Sequence, residues 1–148
     1  MARTTIKVAD EDVETGNTYD KYASKNPIER KLMDGFFGAL DACLPRTSPG
    51  RILEVGVGEG EVTARLAARW PDATFCGVDL PDPELAGHWE GKGFSPRFGD
   101  IGRLPFPDDS FDTVAVTFVL LCLPDEDQLP ALCELARVVR PNGRVLIL

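Results

Sequence analysis

Arg51-Ile52-Leu53-Glu54-Val55-Gly56-Val57-Gly58-Glu59-Gly60 is the stretch on which the reading of the fold turns. Ile52-Leu53-Glu54-Val55, apolar but for Glu54, runs into three glycines at alternate positions. Val62, Leu66 and Trp70 then follow at a spacing of four. A short apolar run closed by glycine reads as a buried strand, and the spacing of four reads as one face of a helix. Glycines between them let the chain bend sharply and let backbone approach a ligand with no Cβ in the way. Taken alone, the turn is equally well a strand–helix connection that holds nothing.

The same alternation continues outward. Thr74-Phe75-Cys76-Gly77-Val78-Asp79 reads as a second strand, a weakly patterned helix is expected around Glu84 to Glu90, and Ser95 to Phe98 as a third strand. Asp112 to Leu120 is expected to be a strand covered on both faces, as in the interior of a parallel sheet. Asp127 to Arg140, with Leu129, Leu132, Leu135 and Val139, reads as a helix; Pro141-Asn142-Gly143 makes a turn, and Arg144 to Leu148 begins a fifth strand. Strands alternating with helices imply right-handed crossovers and a doubly wound, mostly parallel α/β sheet of about five strands. Upstream, Asn26-Pro27-Ile28-Glu29 has the order of a helix start, with Asn26 as cap, Pro27 in the first turn and Glu29 as capping-box acid. Ile28, Leu32, Phe36 and Leu40 predict one apolar stripe, and Pro45 with Thr47-Ser48-Pro49-Gly50 ends that helix. Residues 1–25 read as a flexible polar arm and 26–148 as a single domain. The chain's last residues, Val145-Leu146-Ile147-Leu148, lie inside an apolar strand, and an apolar edge invites pairing. A second copy of the chain, or a further segment of a longer protein, is the expected cover for residues 144–148.

Composition narrows the classes of function. With 24 acidic against 16 basic residues the net charge is −8, and no basic footprint for phosphate neutralisation is visible. No nucleic-acid partner is expected. No run approaches the roughly 20 apolar residues of a spanning helix, and the polar N-terminus lacks the apolar core of a secretory signal; a cytoplasmic protein with no membrane partner is expected. Cys43, Cys76, Cys122 and Cys133 have no CxxC spacing and are read as small buried thiols. His88 is the one histidine, so no metal site is expected.

Two acids give the glycine turn a context. In open α/β sheets ligands bind beyond the carboxyl ends of the strands, where the strand order reverses. Asp79 ends the second strand, 23 positions after Gly56, close to the offset of about 20 at which an acid hydrogen-bonds a ribose diol. Asp100, in Gly99-Asp100-Ile101 after the third strand, reads equally as a solvated acid or as an acceptor for the exocyclic amine of adenine. An adenosine-containing cofactor joins these features.

Three segments carry a family resemblance. Glu54-Val55-Gly56-Val57-Gly58-Glu59-Gly60 resembles the E/D-x-G-x-G-x-G turn of class I S-adenosylmethionine-dependent methyltransferases. Gly99-Asp100-Ile101-Gly102-Arg103-Leu104-Pro105-Phe106-Pro107-Asp108-Asp109-Ser110-Phe111-Asp112 is similar to that family's GD…LPFPDDSFD segment. Leu135-Ala136-Arg137-Val138-Val139-Arg140-Pro141-Asn142-Gly143-Arg144 resembles its L…RVLRPGG segment before strand five. The likeness runs from about Arg51 to Leu148 and implies the Rossmann-like methyltransferase fold, S-adenosylmethionine as cofactor and methyl transfer to an acceptor. The net charge of −8 favours a small molecule over nucleic acid, and small-metabolite, lipid-like and protein acceptors all stay open. By the same resemblance the backbone around Gly56, Val57, Gly58 and Gly60 faces the methionine portion. Glu54 orients the turn or meets the methionine amino group. Asp79 holds the ribose with Leu80 against adenine, Asp100 and the Ile101 backbone recognise adenine, and Thr117 and Phe118 line the site near the sulfonium. Tyr19 and Tyr22, the latter as a cofactor contact, lie in an arm that folds over the cofactor in relatives. The family continues through two more strands, which implies that this chain lacks the final two.

Two departures shape the alternatives. Relatives place histidines after strand four, where this chain has Leu120-Leu121-Cys122-Leu123-Pro124, so no general base is visible and no catalytic residue is assigned. A non-catalytic cofactor-binding or interaction module is the first alternative, because the family's further strands and helix, which often help form the acceptor pocket, are expected to be missing from this chain. A nicotinamide-dependent oxidoreductase is the second, but its G-x-G-x-x-G fingerprint requires glycine where this chain has Glu61 or Thr63.

Overall fold

The computed structural model describes residues 25–89 and 95–148; Tyr19 and Tyr22 lie outside them. Helix α1 spans Pro27–Cys43, followed by β1 (Arg51–Val55), α2 (Glu61–Arg69), β2 (Thr74–Asp79), α3 (Pro83–His88), β3 (Ser95–Phe98), β4 (Phe111–Val116), a 3₁₀ turn (Leu120–Cys122), α4 (Asp125–Val138) and β5 (Val139–Ile147). The sheet order is β3-β2-β1-β4-β5, and every pairing is parallel. The doubly wound α/β reading therefore holds. Because the chain lays down β1, β2 and β3 outward and then crosses back to place β4 on the other side of β1, the strand order reverses between β1 and β4.

Side-chain alternation divides the core between the two faces. Ile52 and Phe75 pack with Leu40, Leu44, Val62, Leu66 and Trp70 under α1 and α2. Leu53, Val55, Cys76, Val78, Val114 and Val116 face the other way, against Ala131, Leu135 and Val138 of α4 and against Ile101, Leu104 and Phe106. Glu54, between Leu53 and Val55, is thereby directed to the α1/α2 face.

The structure corrects several local expectations. β4 ends at Val116 rather than Leu120, because Phe118 takes a left-handed conformation (φ 60°) and the following apolar residues wind into the 3₁₀ turn. Of the α1 stripe, Leu40 is buried but Ile28 and Leu32 are 71% and 68% exposed, since the helix outruns the core beneath it. Asn26 does cap α1, accepting from the Ile28 N–H at 3.0 Å. Glu29 instead accepts from the Asn26 side-chain amide at 3.3 Å. Only Cys76 is buried; Cys43, Cys122 and Cys133 are exposed. Pro141-Asn142-Gly143 lies inside β5, where it shifts the register between Phe111↔Val139 and Thr113↔Arg144. β5 is an edge strand with Ile147 52% exposed.

Arg137 fixes the segment before β4 onto α4. Its guanidinium donates to both Glu134 carboxylate oxygens (2.7 Å each), to Asp108 Oδ1 (2.8 Å), and to the carbonyls of Phe106 (2.8 Å) and Leu104 (3.2 Å). Glu134 also accepts from the Leu104 N–H at 2.8 Å. The Arg137 guanidinium holds the Glu134 carboxyl below its ordinary pKa. Arg137→Ala is expected to cost about 2–3 kcal/mol in urea unfolding, because it leaves part-buried carbonyls unpaired. Lysine should recover less than half of this, having no planar fork; full recovery by lysine would contradict the multidentate role.

Candidate cofactor site

The glycine turn is built on three left-handed residues, Gly56 (φ 76°), Gly58 (φ 49°) and Gly60 (φ 87°). An L side chain is unfavourable in that region, so the alternate glycines are a backbone requirement. Gly60 ends the turn as the residue before α2. The Gly56 and Val57 N–H groups donate to the Val78 carbonyl at 2.8 and 3.3 Å. The Gly58 N–H donates to Asp79 Oδ2 at 2.7 Å. The turn is thus tied to the end of β2 through successive N–H groups. The Val57 side chain is buried with Leu85 and Trp89, so only its backbone belongs to the turn's surface.

Glu54 lies beneath the turn and is 2% exposed. Thr63, buried on the first turn of α2, donates its hydroxyl to Glu54 Oε2, and Thr117, beyond β4, also hydrogen-bonds the carboxyl. Burial pushes the Glu54 pKa up to about 8, against the downward pull of the Thr63 and Thr117 bonds and with the Asp79 charge adding to the rise. At neutral pH the group is therefore largely protonated and neutral, which suits its apolar surroundings. Burial also raises the Asp79 carboxyl above its ordinary pKa, although the N–H groups of Gly58 and Leu80 (2.8 Å to Oδ1) oppose the shift.

The remaining predicted residues occupy the same end of the sheet. Asp100 follows β3 and accepts from the Gly102 N–H at 2.8 Å, and Ile101 buries its side chain in the core, leaving Asp100 half-buried beside it. Thr117 is buried and Phe118 is 36% exposed; the Phe118 ring lies 4.8 Å from that of Phe36 on α1. Glu54, Gly56, Val57, Gly58 and Gly60, then Asp79 and Leu80, then Asp100 and Ile101, then Thr117 and Phe118 thus lie at or just beyond the carboxyl ends of four adjacent strands. His88 ends α3, exposed, and Tyr22 falls outside the described residues. Among the described residues no cluster of three or more His, Cys, Asp or Glu is placed to hold a metal ion. No described helix is long and apolar enough to cross a membrane.

Sequence reasoning misses three residues here. Thr63 is a hydroxyl at an inward-facing helical position beside Val62 and Leu66, a signal that can be read. Val119 places its Cγ2 where a Gly56 side chain would go. Trp89 donates its indole N–H to the Gly58 carbonyl at 2.7 Å. Neither of the last two has a spacing that links it to the turn.

The residues present fit an adenosine-containing cofactor: a turn with no Cβ atoms at its three bends, flanked by acids at the ends of β2 and β3, at the reversal of strand order. The sequence model described as "Methyltransferase domain" matches residues 53–147. The chain is 37% identical over 115 residues to the demethylmenaquinone methyltransferase of Thermus thermophilus, covering 74% of this chain and 51% of that protein. It is 33% identical over 135 residues to the malonyl-[acyl-carrier protein] O-methyltransferase of Halorhodospira halophila, covering 86% of this chain and 43% of that protein. A crystal structure of an S-adenosylmethionine-dependent methyltransferase from Thermotoga maritima superposes with a TM-score of 0.61 at 26% identity, covering 81% of this chain and 55% of that one. The chain spans about half the length of the curated relatives it matches. With the parallel sheet, the glycine turn and these matches in agreement, the chain belongs to the methyltransferase domain family, whose class I members take S-adenosylmethionine as methyl donor.

Proposed function

We propose that the chain binds S-adenosylmethionine across the carboxyl ends of β1 to β4 and serves methyl transfer to a small-molecule acceptor. The observation that carries this reading is the turn itself: three left-handed glycines, with the middle one held by the acid that ends β2. Asp79 would hold the ribose through the lone pairs that its two backbone bonds leave, and Leu80 would lie against adenine. Asp100 and the Ile101 backbone would meet the adenine edge. Glu54 keeps the turn in shape from below, through Thr63 and Thr117. Thr117 and Phe118 form the wall toward the sulfonium, with Phe36 behind the Phe118 ring. When bound, the cofactor supplies a methyl group on a sulfonium for in-line displacement, and the protein's part is orientation and exclusion of water.

The acceptor is not carried by similarity. Two relatives at 37% and 33% identity name a demethylmenaquinone and a malonyl-acyl-carrier-protein acceptor, which share little chemistry. The net charge of −8 favours a small molecule over nucleic acid. One observation favours the non-catalytic alternative: residues 117–124 after β4 contain no histidine or acid, so that segment supplies no general base. An acceptor that needs no deprotonation would not require one.

Asp79→Ala is expected to weaken S-adenosylmethionine binding by about 1–3 kcal/mol in calorimetry. An unchanged affinity in folded protein would refute the ribose role. A methylation assay with panels of small acceptors separates the enzyme from the binding module, since only the enzyme converts the cofactor to its demethylated product.

A further inference from the structure

Gly58 is gripped from both sides. Its N–H donates to Asp79 Oδ2 at 2.7 Å, and its carbonyl accepts from Trp89 Nε1 at 2.7 Å. Trp89 follows α3, in the stretch between β2 and β3, and is buried with Val57 and Leu85. Its ring lies 5.1 Å from that of Phe98, the residue that pairs with Asp79 across the sheet. One side chain therefore connects α3, the end of β3 and the middle of the glycine turn. A buried indole N–H needs a partner, and here that partner is a left-handed glycine whose carbonyl direction sets the path of the turn.

We infer that Trp89 is a positioning residue for the cofactor turn, holding the Gly58 peptide in the orientation that accepts S-adenosylmethionine. The inference rests on the cofactor reading above and goes beyond it, since it gives the segment between β2 and β3 control over cofactor affinity. Asp79 alone leaves the carbonyl side of Gly58 without a clamp, and a turn of three glycines has many other conformations open to it. Removing the indole N–H therefore lowers the fraction of turns already shaped for binding, and the apparent affinity falls with that fraction. Trp70, the other tryptophan, is buried under α2 with Leu66 and Phe75 on the far side of the helix start, and has no bond to the turn.

The test uses S-adenosylhomocysteine, the demethylated product, as the probe. Trp89→Phe keeps an aromatic ring beside Phe98 and removes the donor together with the part of the indole that carries it. Calorimetry is expected to show affinity reduced by roughly tenfold, the usual effect of one buried hydrogen bond. The wild-type chain, labelled at the indole nitrogens, gives a second readout that does not depend on the variant folding. On titration the Trp89 Nε1–H resonance should move saturably while that of Trp70 stays in place, as expected if the peptide that the indole holds is the one that meets the ligand. Binding by Trp89→Phe within twofold of wild type overturns the inference, as does an unmoved Trp89 resonance at saturation; in either case the cofactor reading stands. Absence of binding by the wild-type chain overturns the cofactor reading, and this inference with it.

Discussion

Glu54→Gln is expected to make the protein more stable than wild type at alkaline pH, with a gap that grows as the pH rises. The Glu54 carboxyl is 2% exposed, and burial lifts its pKa from 4.5 to about 8. Between those values the folded state retains a proton that the unfolded chain releases. Stability therefore falls with rising pH across this window, by about 1.4 kcal/mol per unit where the difference is one full proton. Below pH 4.5 both states are protonated and the effect vanishes; above about 8 both are ionised and the slope ends. Across the window the loss amounts to about 3–5 kcal/mol. Glutamine keeps the shape and cannot ionise, so its urea midpoint should lack most of that decline. A smaller decline of the same sign remains from Asp79, whose carboxyl burial also raises. Glu134 and Asp41, held below their ordinary values by Arg137 and Arg65, act in the opposite sense and only at acid pH. Stability curves for the wild type and for Glu54→Gln that run parallel from pH 5 to 9 would show that Glu54 is ionised in the folded state.

Gly56→Ala should be the most damaging change to the site for its size. Gly56 sits at φ 76°, and an added Cβ would collide with Val119 Cγ2. The left-handed conformation costs an alanine about 1–2 kcal/mol, and displacing Val119 adds about 1–3 kcal/mol of overpacking. The expected loss of stability is about 2–5 kcal/mol, accompanied by a loss of cofactor binding as the turn shifts away from Thr117 and Val119. Gly35→Ala is the control. That residue lies in the middle of α1 with nothing within 4 Å of the added Cβ, and the change should stabilise the helix by about 0.5–1 kcal/mol. Equal unfolding midpoints for the two variants would contradict the assigned backbone requirement at Gly56.

How much of the fold is legible in the sequence follows how strongly each element is punctuated. β2 and β3 read as Thr74–Asp79 and Ser95–Phe98, as observed, because glycine, proline and acids close those runs. The end of β4 reads four residues too late, since Val119, Leu120 and Leu121 continue the apolar run while the backbone has already turned at Phe118. Apolarity reports burial, and a 3₁₀ turn against the sheet end satisfies it as well as a strand does. The stripe on α1 is correct as a pattern. Its first two members are nevertheless exposed, because periodicity carries no information about where the underlying core stops. In the site, the glycines and Asp79 are legible through fixed spacing along the chain. Thr63, Val119 and Trp89 act through contacts made only once the elements pack, and Trp89 is 31 residues from the glycine whose carbonyl it holds.

A calorimetric titration of the folded chain with S-adenosylmethionine tests the central claim most directly. Saturable heat at one site per chain, reduced by Asp79→Ala, is the result that the left-handed glycines and their clamp to β2 lead us to expect. No saturable heat from a chain that remains cooperatively folded would contradict the claim that this turn holds the cofactor.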